Sequence, residues 1–306
     1  MTGTTSRRIA ASIPEGFPPA LRDHGLLVPT GDGLFGWGAE LEEVFTGLDR
    51  LLTRVGRDAG TRVLRFPPMI SREVFEQSEF GQSFPQLFGT VHAFAGDDRD
   101  HVMLSRAMAE RTAWPDVVRP TRYVLTPAAC YPVYPQYAGR PDADAVVDTS
   151  SYCFRHEPSE EVGRLVAFRQ REFVRIGTSR DVDAWFGSWR DRALTVIRSL
   201  GLVARCEPAA DPFFGRGARL LASGQREQGL KYEIITEIDG HPVAVASCNN
   251  HRDHFGRTFG IEASGGEVAA TSCIGFGQER IAFALASAFG PDLTGWPSET
   301  RDALWG

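Results

Sequence analysis

The chain has 306 residues, of which 42% are apolar, and its 33 Lys and Arg against 39 Asp and Glu give a formal net charge of −6. This is the composition of an ordinary globular chain, long enough to bury a sizeable core in one large domain or two small ones. The charge balance argues against an extended nucleic-acid surface, which needs many unopposed cations, and no apolar run approaches the ~18 residues of a membrane span.

In chain order, the stretch from Met1 to Ile13 carries Arg7 and Arg8 but no apolar core of a secretory signal, so a cytoplasmic chain is expected. Five cysteines at irregular spacing do not make a disulfide framework and should be free thiols or metal ligands. Residues 1–38 form an N-terminal segment in which Ile13-Pro14-Glu15-Gly16, Leu26-Leu27-Val28-Pro29 and Leu34-Phe35-Gly36-Trp37-Gly38 suggest short strands or turns. From Glu40 to Arg57, Leu41, Val44, Phe45, Leu48, Leu51, Leu52 and Val55 recur at the spacing of one helix face. Gly60 stops that helix, and Thr61 to Phe66 reads as a strand closed by Pro67-Pro68.

Another strand, Arg122 to Leu125, runs into Thr126-Pro127-Ala128-Ala129-Cys130. Tyr152–Arg155 and Phe168–Ile176 read as a hairpin around a polar loop holding Pro158, Ser159, Glu160, Glu161 and Gly163. Asp181 to Leu200 has helical period and ends at Gly201. Asp239-Gly240 is a hairpin turn between the strands Tyr232–Ile238 and Val243–Ser247. Ile274 to Phe289 opens Gly-rich and continues as an apolar helix. The sum is an α+β fold, an antiparallel sheet flanked by helices, over residues 39–306.

Three of these segments resemble, in order, the three signature motifs of class II aminoacyl-tRNA synthetases. A helix followed by Gly60-Thr61-Arg62-Val63-Leu64-Arg65-Phe66-Pro67-Pro68 resembles the first, which forms the dimer interface in that family. Phe154-Arg155-His156-Glu157 and Arg169-Gln170-Arg171-Glu172-Phe173-Val174-Arg175 resemble the second, and Gly275-Phe276-Gly277-Gln278-Glu279-Arg280 the third. Lys231-Tyr232-Glu233 and Ser247-Cys248-Asn249-Asn250 are similar to the ATP-site strands of seryl-tRNA synthetases. Cys130, Glu172 and Cys273 match the zinc ligands of the atypical, zinc-dependent seryl enzymes. The chain has no room for the tRNA-reading arm of those enzymes, so it resembles the truncated bacterial amino acid:carrier protein ligases from about Glu40 onward.

The resemblance implies the following roles. Arg155 holds the ATP α-phosphate, Arg280 packs on adenine and reaches the terminal phosphates, Phe173 stacks on the other ring face, and Glu157 accepts the adenine amino group. Arg164 meets the nucleotide by charge and Leu165 through its backbone, with Ser247 and Asn249 on the ATP-site strand. Glu233 holds Mg²⁺, with Lys231 nearby. Zinc on Cys130, Glu172 and Cys273 keeps a fourth position for the substrate α-amino group. Forked arginines suit the charge that grows when a carboxylate attacks a phosphate, and three protein ligands are the pattern of an open zinc site.

The expected activity is ATP-dependent adenylation of a small amino acid, glycine or alanine, and its transfer to the phosphopantetheine thiol of a carrier protein by a homodimer. Serine or an unusual small amino acid stays open, as do a tRNA synthetase and an inactive regulatory paralogue. Arg216 and Arg219 lie in Asp211-Pro212-Phe213-Phe214-Gly215-Arg216-Gly217-Ala218-Arg219-Leu220-Leu221, which resembles the carrier-docking segment; a short helix would set both on one side with Leu220 and Phe213 close by. Cys153, Cys206 and Cys248 read as apolar filler. His251 and His254 read as loop residues rather than a metal pair.

Overall fold

The structure, a computed structural model, describes residues 13, 15, 17–31, 34–58, 60–157 and 161–306. Arg7, Arg8, Pro14, Gly16, Pro158, Ser159 and Glu160 lie outside the described residues. The chain opens with a one-turn helix α1 (Pro19–Arg22) and a hairpin of β1 (Leu27–Gly31) and β2 (Leu34–Trp37). Helix α2 (Ala39–Gly56) follows and buries Leu41, Val44, Phe45, Leu48, Leu51 and Leu52, the apolar set that its period marks. At its last turn Gly56 meets the Phe173 ring so closely that a Cβ would lie 2.0 Å from it, so glycine lets the helix settle on the sheet below.

Strand β3 (Arg62–Arg65) then leads into β4 (Met69–Ser71), α3 (Arg72–Gln77), α4 (Phe80–Ser83), β5 (Thr90–Phe94), α5 (Asp98–Glu110) and β6 (Val118–Leu125). Strands β4, β6 and β5 form a separate three-stranded sheet. Sequence reading finds only the last half of β6 here. The strand carries Pro120 and its exposed positions come in adjacent pairs, so it lacks the alternation that marks a half-buried strand.

The remainder supplies β7 (Ala145–Phe154), β8 (Ala167–Gly177), α6 (Ser179–Ser199), β9 (Arg205–Pro208), α7 (Ala218–Glu227), β10 (Lys231–Ile238), β11 (His241–Arg252), α8 (His254–Phe259), β12 (Ala270–Gly277), α9 (Gln278–Phe289) and α10 (Ser298–Trp305). Seven strands form the main sheet in the order β3-β7-β8-β12-β11-β10-β9. It is mixed, which corrects the antiparallel expectation: β3 runs parallel to β7, and the excursion through β4 to β6 provides the long crossover a parallel pair requires. The Gly-rich stretch before α9 is the end of the buried strand β12. The Asp239-Gly240 turn stands as read, with φ of 51° and 78° at its two residues.

Helices α2, α6 and α9 cover one face of this sheet. Phe173, Trp189, Ile274, Phe276 and Phe283 form the middle of that layer, and Phe17, Leu21, Leu26 and Leu27 of the N-terminal segment join the same core. A buried ion pair ties the layers: Arg171 donates from Nε to Asp148 Oδ1 at 3.0 Å and from Nη1 to the Asp49 carbonyl of α2 at 2.6 Å. The opposite face packs Val147, Val174, Ile176, Tyr134, Phe255 and Phe259 at one end and is open at the other. Among the described residues no helix is long and apolar enough to cross a membrane.

Candidate active site

Strand register assembles the open face. Glu172 on β8 pairs with Gly275 on β12, Gly275 with Ser247 on β11, and Ser247 with Glu233 on β10. One step along, Cys273 pairs with Asn249, and Asn249 with Lys231. Since alternate residues of a strand share a face, these two rows lay carboxylates, a thiol and polar side chains across the floor of a cavity of about 820 Å³. Gly275 keeps the floor low: a Cβ there would lie 2.9 Å from Gln170 Nε2 and 3.3 Å from Glu172 Cγ.

At one end of this floor, Cys130 from the segment after β6 joins Glu172 and Cys273, and their ligand atoms all lie within 4.8 Å of one another. All three are buried. The Ala129 amide donates to Glu172 Oε1 at 2.9 Å, while Glu172 Oε2 is buried without a hydrogen-bond partner among the described residues. The Cys273 thiol beside it, burial and the Glu172 carboxylate push the Cys130 thiol well up, and burial pushes the Glu172 carboxyl up. Three acidic donors crowded in a dry corner with an orphaned carboxylate oxygen suit a divalent cation, which would neutralise them. Two sulfurs and one oxygen are the donor chemistry of zinc with a position left open.

The other end is cationic. Arg155 donates from Nε to the Pro127 carbonyl at 3.3 Å and lies over the Phe168 ring, 5.5 Å from its centroid. Arg280 donates to the carbonyls of Gly163 (2.7 Å) and Ala244 (2.8 Å). Burial and the Arg155 charge lower the Arg280 pKa to about 10, which leaves it charged at neutral pH. Glu157 and Leu165 line the same end. Arg164 stands just outside the lining, half-exposed and paired with Glu161 at 2.5 Å and Glu157 at 3.7 Å.

Phe173 is a correction. It is fully buried on the helical side, stacked on Trp189 with centroids 4.5 Å apart, and cannot reach the cavity. The reason is strand period: if Glu172 faces the cavity, its neighbour faces away, and Gln170 and Phe168 share the Glu172 side. Phe168, on the Glu172 side of β8, lines the pocket in its place, and the alternation Phe168, Gln170, Glu172 was the available signal. Phe173→Ala is therefore expected to cost ~3–5 kcal/mol of stability in denaturant titrations, whereas Phe168→Ala should leave stability nearly unchanged and weaken nucleotide binding. The reverse pattern would restore Phe173 to the site.

Lys231 is buried between Asp211 Oδ1 (2.5 Å) and Glu233 Oε1 (3.2 Å). Burial pushes the Asp211 carboxyl up, but the Lys231 ammonium and a Gln225 hydrogen bond outweigh it and hold the group below the usual carboxylate range. Asp211, Gln170, Glu279 and His251 line the cavity without having been read as site residues. Burial lifts the Glu279 carboxyl to about 8. His251 is a second correction: it lies on strand β11, not in a loop, with Nε2 3.6 Å from Cys273 Sγ. His254 opens α8. A third concerns the 211–221 segment. Arg216 sits in the turn before α7 and only Arg219 is helical, so helix period does not align them, and Phe213 turns inward to stack on Phe84. Both arginines are exposed.

No protein-family model matches this chain. It is 42% identical over 279 residues to amino acid–[acyl-carrier-protein] ligase 1 of Bradyrhizobium diazoefficiens, covering 89% of this chain and 85% of that protein. The chain belongs to the amino acid–[acyl-carrier-protein] ligase family. As a member of that family it is an enzyme of the ligase class. The type-2 serine–tRNA ligase of Methanococcus aeolicus is 24% identical over 262 residues, and the match covers 78% of this chain but 49% of that protein, so this ligase spans about half the synthetase's length. Among solved structures, M. kandleri seryl-tRNA synthetase in complex with A. aeolicus tRNASec superposes with a TM-score of 0.79 at 20% identity, over 97% of this chain and 62% of that one. The fold is that of class II aminoacyl-tRNA synthetases.

Proposed function

We propose that this ligase activates a small amino acid, glycine or alanine, with ATP and passes it to the phosphopantetheine thiol of a carrier protein. The observation that carries the reading is the polarity of one cavity: a Cys130/Glu172/Cys273 donor set at one end and the Arg155/Arg280 pair at the other, on a sheet of the class II fold. In the first step the amino-acid carboxylate oxygen bonds the α-phosphorus of ATP and pyrophosphate leaves. In the second the carrier thiol, losing its proton, bonds the acyl carbon and AMP leaves.

Arg155 neutralises charge on the transferring phosphate, and Arg280, held by two carbonyls, faces the purine and the terminal phosphates. Phe168 takes the stacking role first assigned to Phe173, Glu157 accepts from the adenine amino group, and Leu165 closes that wall, with Arg164 at the rim. Lys231 would screen phosphate oxygens, Glu233 would hold a Mg²⁺ that neutralises phosphate charge, and Ser247 and Asn249 line the floor between. Cys130, Glu172 and Cys273 hold zinc, which when bound supplies an open coordination position for the substrate amine. Orienting the amine this way grips an amino acid that offers little side chain. A homodimer through α2 and β3 belongs to the same reading.

The acceptor is tested by following labelled amino acid onto holo-carrier protein and onto tRNA. Arg216 and Arg219 lie beside the positive end of α7, whose first turn has no acidic residue, a surface suited to an acidic partner helix. Arg216→Glu with Arg219→Glu should leave ATP–pyrophosphate exchange intact and slow transfer to the carrier, and wild-type transfer should fall as salt rises. Charging of tRNA by the wild type would sink the carrier assignment, and an unimpaired double variant the docking site.

A further inference from the structure

One group beside the donor set has no part in the scheme above. The cavity face of β11 runs Ser247, Asn249, His251, and the sheet register slips between Asn250 and Arg252, which pair with Ser272 and Thr271. His251 is the extra residue of this bulge, a device that re-aims a side chain at the price of one ladder position. Its Nε2 comes to 3.6 Å from Cys273 Sγ and its Nδ1 to 3.1 Å from the hydroxyl of Thr271, which is fully buried. Two rings fix its plane: Phe255 at 4.8 Å between centroids and Tyr134 at 6.2 Å, both near edge-on. The donor atoms that lie within 4.8 Å of one another are those of Cys130, Glu172 and Cys273, and His251 is not among them. It therefore sits behind a ligand rather than among the ligands.

We propose that His251 is a positioning residue of the metal centre, its Nε2–H donating to the Cys273 thiolate while the Thr271 hydroxyl donates to Nδ1 and fixes that tautomer. The inference rests on the metal reading of the triad. Two thiolates and a carboxylate carry three negative charges against the two positive charges of a zinc ion, so donors behind the ligands spread the excess and hold each ligand in its rotamer. Glu172 has such a donor in the Ala129 amide at 2.9 Å, and Cys273 receives a second, longer one from Asn249 Nδ2 at 3.8 Å. His251 completes the set for the sulfur.

The test uses His251→Phe, which keeps an aromatic ring and removes the donor, and His251→Gln, which keeps an N–H. Zinc affinity is measured by chelator competition, and the sulfur-to-metal charge-transfer band is recorded on the cobalt-substituted protein. A loss of ~10–100-fold in zinc affinity for His251→Phe, with a displaced cobalt band, unchanged thermal unfolding of the metal-stripped protein and recovery in His251→Gln, is the expected result. Wild-type affinity and an unshifted band in His251→Phe, or an equal loss in His251→Gln, overturn the proposal. Should His251→Phe fail to fold, Thr271→Val frees Nδ1 while keeping the ring, and unchanged zinc affinity in that variant overturns it equally. Zinc binding by the wild type separates the two readings: without it the metal assignment falls as well, and with it only the His251 role is at stake.

Discussion

Alanine at Arg155 or at Arg280 is expected to lower amino-acid-dependent ATP–pyrophosphate exchange by ~10²–10³ with little change in thermal unfolding. Both guanidiniums are already aimed. Arg155 is held by the Pro127 carbonyl and the Phe168 ring, and Arg280 by the carbonyls of Gly163 and Ala244. Such preorganised donors stabilise charge that develops on the transferring phosphate without a reorganisation cost at the moment of reaction. Folding should tolerate the loss, because the Arg155 charge lies close enough to Arg280 to lower the Arg280 pKa, and removing either charge relieves that repulsion. Lysine should not rescue either position, since a point charge cannot reproduce a planar fork. Near-normal exchange in both alanine variants would sink the adenylation reading.

Serine at Cys130 or at Cys273 is expected to strip the protein of its metal. Elemental analysis of the purified wild type should find about one zinc per chain, and each serine variant should hold little. Cys248→Ser serves as the control, since that side chain is buried in the core on the helical face of the sheet, away from the donor set. Binding should also report through stability, because an ion that binds only the folded state at 100 times its Kd adds about 2.7 kcal/mol. Zinc should therefore raise the unfolding temperature of the stripped wild type and not that of Cys273→Ser. Full metal content in both serine variants would show that other residues hold the ion.

Much of the scaffold was legible from residue order. The α2 helix, the β10–β11 hairpin with its Asp-Gly turn, the β7–β8 pair and α6 all carry local signals: an apolar period, a left-handed turn dipeptide, a capping glycine. Resemblance along the chain also named Cys130, Glu172 and Cys273, which the fold brings together from three distant segments. Local signals fail where an element is held by tertiary contact alone. The largely exposed strand β5 and the Pro-bearing β6 of the small sheet show no alternation.

Side-chain direction was the other limit. That Phe168 and not Phe173 lines the cavity, that His251 reaches Cys273, and that Asp211 returns to Lys231 follow from which face each strand turns inward, where a bulge shifts register, and how a loop folds back. The sequence by itself determined the residue types of the site, its charge and most of its helices and strands, because those are written in local pattern. Only the tertiary structure decided which side chains share the cavity, because facing is set by pairing between strands far apart in the chain, and a shift of one residue exchanges the two faces.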